Sequence, residues 1–374
     1  MVSPKRVLTI FGTRPEAIKM LPLVHALAAD QRFIGRVCVT GQHRVMLDQV
    51  LAIAAIVPDY DLAVMRPGQS LDRLSARLLF SIGRTLDGEQ PDCVVVQGDT
   101  ATALMGALAA YYRRIPVVHI EAGLRSGDIN SPWPEEVNRK AIGTIAALHC
   151  APTATAAAAL LAENVERSKV HITGNTVIDA LHWITRRIES EPQLAAGLAG
   201  AERDFAGLKI IGVTSHRREN FGQGMTDIAE AVYRLAQRPD VAVIFPVHLN
   251  PNVIGVVHGR LAGLPKVALT DPLDYPHFAR LLAISHIMLT DSGGVQEEAP
   301  ALGKPVLVMR DTTERPEGIA AGTARLVGTD PDTIVAEATR LLDDEDAYAA
   351  MARAHNPYGD GKSAARIIEL IARM

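Results

Sequence analysis

The residues hardest to explain as ordinary surface are carboxylates, cations and glycines that directly follow short apolar runs. Asp99 lies in Gln97-Gly98-Asp99-Thr100, Glu121 opens Glu121-Ala122-Gly123-Leu124-Arg125, and Glu135 follows Pro132-Trp133-Pro134. Singly, each has a plain structural reading: Asp99 as a turn former, Glu121 paired locally with Arg125, Glu135 as a first-turn helix charge. Together they offer the base and the acid that proton transfer beside a departing phosphate needs. A second chemistry is suggested by Asp291-Ser292-Gly293-Gly294-Val295-Gln296-Glu297-Glu298, which opens a helical pattern. Adjacent glycines let backbone N–H groups approach an anion, and a helix N-terminus favours one. Ser292, Gly293 and Gly294 therefore read either as a diphosphate seat or as a tight turn capped by Ser292, with Glu298 placed to accept from ribose hydroxyls. Arg14 and Arg315 suit phosphate because a planar guanidinium binds it bidentately. His216 with Arg217-Arg218 either neutralises phosphate or forms a solvated basic turn, and Lys19 is equally consistent with a solvated lysine.

The elements that must position these residues alternate regularly. Val7–Phe11, Val37–Thr40, Cys93–Val96, Val117–Ile120 and Val170–Thr173 are β-branched runs, each ending in a Gly-, Asp- or Asn-containing turn before a helical stretch. After a weak region over Glu189–Gly207 the pattern restarts with Ile210–Thr214, Val241–Phe245, Val267–Thr270, Ile287–Thr290, Val306–Met309 and Ala324–Val327. Near-continuously apolar strands separated by helices predict parallel sheets covered on both faces. Two such sets predict two doubly wound domains, divided at Gly174 or as late as Gly207, with a last helix over Ser363–Met374. In such sheets ligands bind beyond the carboxyl ends of the strands, where most of the candidates above fall. If the two sheets face each other, these loops line one cleft.

Composition narrows the function classes. The chain has 374 residues, 48% hydrophobic and 21% charged, enough for two domains with their own cores and against a disordered chain. A formal charge of -4 argues against a nucleic-acid partner. Cys38, Cys93 and Cys150 have no paired spacing and read as buried small hydrophobes in a reducing compartment. Val7–Phe11 is too short for the core of a signal peptide. Ala141–Leu161 is uncharged and long enough to span a bilayer, but it is mostly alanine and reads as a helix end, a strand and a new helix. A cytoplasmic protein without a membrane partner is expected. The sequence contains neither a Walker A loop nor a dinucleotide fingerprint, and no cluster with metal spacing, so no cofactor and no metal are predicted.

With these motifs laid out, the chain resembles the bacterial non-hydrolysing UDP-N-acetylglucosamine 2-epimerases. The resemblance rests on Phe11–Lys19, Gln97–Thr100, His119–Arg125, Pro132–Arg139, Gly174–Asp179, His216–Asn220, Thr290–Pro300 and Gly303–Glu317, in family order. It implies the α/β GT-B fold, two Rossmann-like domains facing a central cleft. The first would cover 1–174 and the second 175–357, with the C-terminal helix within 358–374 packing back on the first. It also implies a homodimer that interconverts UDP-N-acetylglucosamine and UDP-N-acetylmannosamine for cell-surface polysaccharide synthesis. Carried over residue by residue, it implies catalysis by Asp99, Glu121, Glu135 and His216. Substrate binding would fall to Arg14, Lys19, Asp99, Glu121, His216, Phe278, Ser292, Gly293, Gly294, Glu298 and Arg315. A second, regulatory substrate site would involve Gln42, His43 and His248. Leu273 and Val45 depart from the polar residues of some relatives, at a uracil contact and at that second site.

Inverting carbon 2 of such a sugar is hard, because no neighbouring carbonyl acidifies its hydrogen. Without a nicotinamide site, the route open is expulsion of UDP from carbon 1 as the carbon 2 proton leaves, then re-addition. The rivals are a hydrolysing relative, a GT-B glycosyltransferase and a non-catalytic sugar-nucleotide sensor.

Overall fold

The computed structural model describes residues 3–42 and 44–374, so the expected site residue His43 lies outside the described residues. Among the described residues the strands are β1 (Lys5–Phe11), β2 (Phe33–Val39), β3 (Tyr60–Asp61), β4 (Cys93–Gln97), β5 (Val117–Ile120), β6 (Leu148–Ala151), β7 (Val170–Ile172), β8 (Lys209–Thr214), β9 (Val241–Pro246), β10 (Val267–Thr270), β11 (Ile287–Thr290), β12 (Val306–Val308) and β13 (Ala324–Leu326). The first seven form one sheet in the order β3-β2-β1-β4-β5-β6-β7, and the remainder form another in the order β10-β9-β8-β11-β12-β13. Every strand pair is parallel. The two doubly wound α/β units of the GT-B fold class are thus present. The uncharged stretch over 141–161 is, as expected, a helix end, β6 and a new helix. No helix among the described residues is long and apolar enough to cross a membrane.

The chain divides into one unit comprising residues up to Ala180 with Tyr358–Met374, and a second comprising Leu181–Pro357. The change falls at Ala180, inside the helix Thr176–Ser190. The cause is local. Asp179 accepts the backbone N–H groups of Ser363 (3.2 Å) and Ala364 (2.9 Å), which open the helix Ser363–Arg373. A carboxylate at a helix N-terminus satisfies donors that have no partner within the helix. Ile367 and Ile371 of that last helix are fully buried, and Lys5 donates to the Ile371 carbonyl at 2.9 Å.

In each sheet the strand order reverses once, between β1 and β4 in the first and between β8 and β11 in the second. At such a switch point adjacent loops diverge to opposite faces and leave a crevice beyond the strand ends. The loops concerned begin at Gly12, Gly98, Ser215 and Asp291, which is where the candidate residues cluster. Gly12 shows how tight the first of these is: a Cβ there would collide with Thr40 Oγ1 and lie 2.6 Å from Thr102 Oγ1.

Candidate active site

In the first unit, Thr13 caps the helix Arg14–Ala29 and Glu16 closes a capping box. The buried Glu16 carboxylate accepts the N–H groups of Gly12 (3.0 Å) and Thr13 (2.8 Å) and the Thr100 hydroxyl (2.6 Å). It therefore ties the loop after β1 to the loop after β4. Burial pushes the Glu16 carboxyl up, with those hydrogen bonds opposing it. On the same helix Lys19, 20% exposed, donates to both oxygens of Glu121 at 2.7 and 2.6 Å. The partner of Glu121 is thus Lys19 and not Arg125, which pairs with Glu163 at 2.7 Å instead. Lys19 is correspondingly no solvated lysine.

Glu121 is the centre of this group. It is buried, follows β5 directly, and has a φ of 61°, in the left-handed region that costs a non-glycine residue energy. Besides Lys19 it accepts from Gln97 Nε2, at the end of β4, and from Asn175 Nδ2 (3.1 Å), just after β7. His119, two positions earlier, is buried with Nε2 2.7 Å from the Gly98 carbonyl. Burial pulls its imidazole down to about 4, so it stays neutral at pH 7.

Asp99 does more than form a turn. Its Oδ2 accepts from Arg139 Nε (2.8 Å) and Nη2 (2.7 Å), and its carbonyl accepts from Asn138 Nδ2 (2.7 Å). Arg139 in turn donates to Glu136 at 3.2 Å. Glu136, fully buried, also accepts the N–H groups of Ser126 (3.1 Å) and Gly127 (3.4 Å). Glu135 is half-buried and begins the same helix, Glu135–Ile145. One helix therefore carries Glu135 and fixes Asp99. Arg14 lies half-buried at the start of the helix Arg14–Ala29, and Gln42 accepts from Thr102 Oγ1 at 3.3 Å.

In the second unit the loops after β8 and β11 are braced by Asp291. This fully buried carboxylate accepts from Ser215 Oγ (2.8 Å), the N–H groups of His216 and Arg217 (both 2.9 Å) and Asn220 Nδ2 (3.1 Å). Ser292 begins the helix Gly293–Ala301 without a side-chain cap; its own N–H donates to Thr290 Oγ1 at 2.9 Å. The reading of Ser292 as a capping residue is thus corrected, and its hydroxyl is not committed to the helix end. A Cβ built on Gly293 would lie 3.8 Å from the Arg315 guanidinium carbon and 3.9 Å from Arg217 Nη2. Two guanidinium groups therefore converge on the helix N-terminus, where backbone N–H groups and the helix dipole already favour an anion. Arg315 is held there by Glu297. Arg310 bonds Glu219 and Glu314 behind it. Burial pushes the Glu314 carboxyl up, but the Arg310 hydrogen bond and nearby cationic charge prevail and hold it at about 2. Glu298 is buried on the same helix, 3.6 Å from where a Gly294 Cβ would stand.

His216 projects from this braced loop, with Nδ1 3.6 Å from Asp291 and its ring stacked on His248 at 5.7 Å. Burial lowers its pKa, against the pull of Asp291, so a neutral ring is favoured at pH 7. Phe278 is half-buried in the first turn of the helix Tyr275–Ile284, and Leu273 packs on the core beneath. His248 thus sits beside His216 in the second unit, whereas Gln42 belongs to the first.

Gln97, Asn175, Glu136 and Glu297 were not among the residues that the sequence proposes for the site, and Asp291 was read only as part of the glycine-rich anion loop. Each is buried and polar, and only its partners reveal its part.

Two doubly wound parallel-sheet units, each with polar loops gathered at its switch point, make this a protein of the GT-B class. A family model described as UDP-N-acetylglucosamine 2-epimerase matches residues 25–372. The UDP-N-acetylglucosamine 2-epimerase of Escherichia coli K12 is 55% identical over 369 residues, covering 98% of both chains. The crystal structure of the Neisseria meningitidis UDP-GlcNAc 2-epimerase bound to UDP-GlcNAc has a TM-score of 0.88 at 44% identity, covering 99% of this chain and 100% of that one. The Methanocaldococcus jannaschii UDP-GlcNAc 2-epimerase in complex with UDP-GlcNAc and UDP gives 0.79 at 32%, with 99% and 100% covered. The chain belongs to the UDP-N-acetylglucosamine 2-epimerase family.

Proposed function

We propose that this chain interconverts UDP-N-acetylglucosamine and UDP-N-acetylmannosamine without hydrolysis, supplying cell-surface polysaccharide synthesis. The observation that carries this reading is the Glu121 carboxylate, gripped by Lys19, Gln97 and Asn175 beside the Gly98-Asp99 turn. A carboxylate so held can take or return a proton at a fixed point. The reaction runs in two halves. The carbon 1–oxygen bond breaks and UDP leaves with the bonding pair while a carboxylate removes the carbon 2 proton, giving 2-acetamidoglucal. Protonation of carbon 2 from the opposite face and attack of the diphosphate on carbon 1 then restore the linkage. Asp99, Glu121 and Glu135 share the proton transfers, and His216 assists the departing diphosphate as a neutral donor.

Arg14, Arg315, Ser292, Gly293 and Gly294 hold the diphosphate. The two guanidinium groups beside Gly293 support this role, since charge develops on the leaving oxygens and a preorganised donor there contributes about 3–4 kcal/mol. Lys19 keeps Glu121 in place, Glu298 binds the ribose and Phe278 lines the base. A second, regulatory substrate site on Gln42, His43 and His248 is part of this proposal, and the stacking of His248 on His216 is what supports it. A homodimer is supported by Phe80, Tyr111 and Tyr112, large exposed side chains on the helices Leu71–Glu89 and Ala101–Tyr112 that a second copy would cover.

The test is incubation with UDP-N-acetylglucosamine in heavy water, without nicotinamide or metal. UDP-N-acetylmannosamine carrying deuterium at carbon 2 is expected. Free N-acetylmannosamine and UDP as the end products would make this a hydrolysing enzyme, and epimerised product without deuterium would sink the elimination route.

A further inference from the structure

Asn175 occupies a position that neither nucleotide binding nor proton transfer explains. It lies between β7 and the helix Thr176–Ser190, along which the chain leaves the first unit. Its backbone N–H donates to the carbonyl of Tyr358, the residue at which the chain re-enters that unit, at 2.7 Å. Its side-chain oxygen accepts the Val177 N–H at 3.1 Å, and its side-chain nitrogen donates to Glu121 Oε1 at 3.1 Å. One buried residue thus touches the returning chain through its backbone, and the outgoing chain and the carboxylate at the centre of the site through its side chain. The surroundings leave it little slack. A Cβ on Gly174 would lie 2.7 Å from Ser363 Oγ and 3.2 Å from the Gly359 Cα, and Asp179 holds the N–H groups of Ser363 and Ala364 one turn further on.

We propose that Asn175 is a positioning residue, which couples the orientation of Glu121 to the place where both chain crossings between the units meet. The role rests on the assignment of Glu121 to proton transfer. Lys19 and Gln97 grip Glu121 from the body of the first unit, and Asn175 is in addition bonded to the returning chain. Any shift of the crossing segments therefore moves a donor on the reacting carboxylate. Lost orientation slows the chemical step and leaves ground-state binding alone.

Serine separates the two duties of this side chain. It is as good an acceptor for the first helical N–H groups as asparagine, but it is too short to reach Glu121. Asn175→Ser is expected to keep its melting temperature within a few degrees and its UDP affinity within about 3-fold. Its kcat should fall about 10-fold or more at nearly constant KM, the effect of losing a hydrogen bond to a charged group. Asn175→Asp keeps the cap but sets a second carboxylate against Glu121, and should be slower still. Wild-type kcat in Asn175→Ser would overturn the proposal, as would a loss matched by a collapse in melting temperature. The tie to the returning chain is read from Gly359→Ala, where a side chain would strain a φ of 137° and meet the Asn175 backbone nitrogen at 3.4 Å. Its slowing should largely vanish in the Asn175→Ser background. Losses that multiply, or none at all, would overturn the tie. A wild-type chain that places no solvent deuterium at carbon 2 would instead overturn the proton-transfer reading, and this role with it.

Discussion

Asp291→Asn is the most discriminating perturbation of the second unit, because it alters charge and donor pattern without changing shape. In the native protein Oδ2 accepts four donors, from Ser215, His216, Arg217 and Asn220, and Oδ1 also lies 3.1 Å from the His216 nitrogen. An amide keeps one oxygen and turns an NH2 toward an N–H, two donors facing each other in a fully buried place. Hydrogen bonds to a charged acceptor are worth about 1.5–3 kcal/mol against about 1 for a neutral one, and an unmet buried donor adds about 1–3. Partial relaxation leaves a loss of about 3 kcal/mol. For a unit of this size that lowers the melting temperature by about 6–12 °C. Two units need not melt together, so calorimetry should show the transition of Leu181–Pro357 moving while the other stays. UDP affinity, measured by titration calorimetry, should fall about 10-fold, because His216 and Arg217 ride on the braced loop. A variant that melts within 2 °C of the native protein and binds UDP normally would refute the brace.

Three further outcomes are expected. Glu298→Ala should raise KM and weaken UDP binding while leaving kcat within about 2-fold, since ribose contacts are equal in ground and transition states; steady-state kinetics decides. Glu121→Gln should lower kcat about 100-fold or more with UDP affinity little changed, which turnover assays beside calorimetry would show. His119 and His149 are buried, and burial pulls both from the ordinary 6.5 to about 4. The unfolded chain therefore binds protons that the folded chain refuses, and stability present above pH 6.5 is lost as the pH falls toward 4. Each ring accounts for about 2 kcal/mol between pH 7.5 and 5, so denaturant unfolding of His149→Phe should show a visibly flatter pH dependence over that range.

Much of the fold was legible because parallel strands buried on both faces leave unbroken β-branched runs. Cys93–Gln97 and Val117–Ile120 are buried end to end, so no alternation of polar and apolar residues blurs where they start and stop. The two-residue β3 was not legible, since Tyr60–Asp61 is too short to carry a period and is held by pairing with Cys38 and Val39. The candidate carboxylates Asp99 and Glu121 stood out as charges after apolar runs. Their partners did not, because Lys19 is 102 positions from Glu121 and Asn175 is 54 positions away. Only the order of strands in the sheet makes them neighbours. Asp291 was hidden differently: beside Ser292-Gly293-Gly294 it looks like part of a phosphate loop, and its burial beneath the β8 loop gives it a bracing role.

The first unit is built from two separate stretches of chain, and this bears on how it is made. Its last helix supplies the buried Ile367 and Ile371 only after roughly 180 residues of the second unit have been synthesised. At about 5–20 residues per second, the first unit waits about 10–40 s on the ribosome without that helix. The second unit, continuous in sequence, can finish folding earlier. Chains truncated before Tyr358 and released from the ribosome should therefore hold a protease-resistant second unit beside a first unit that still engages chaperones.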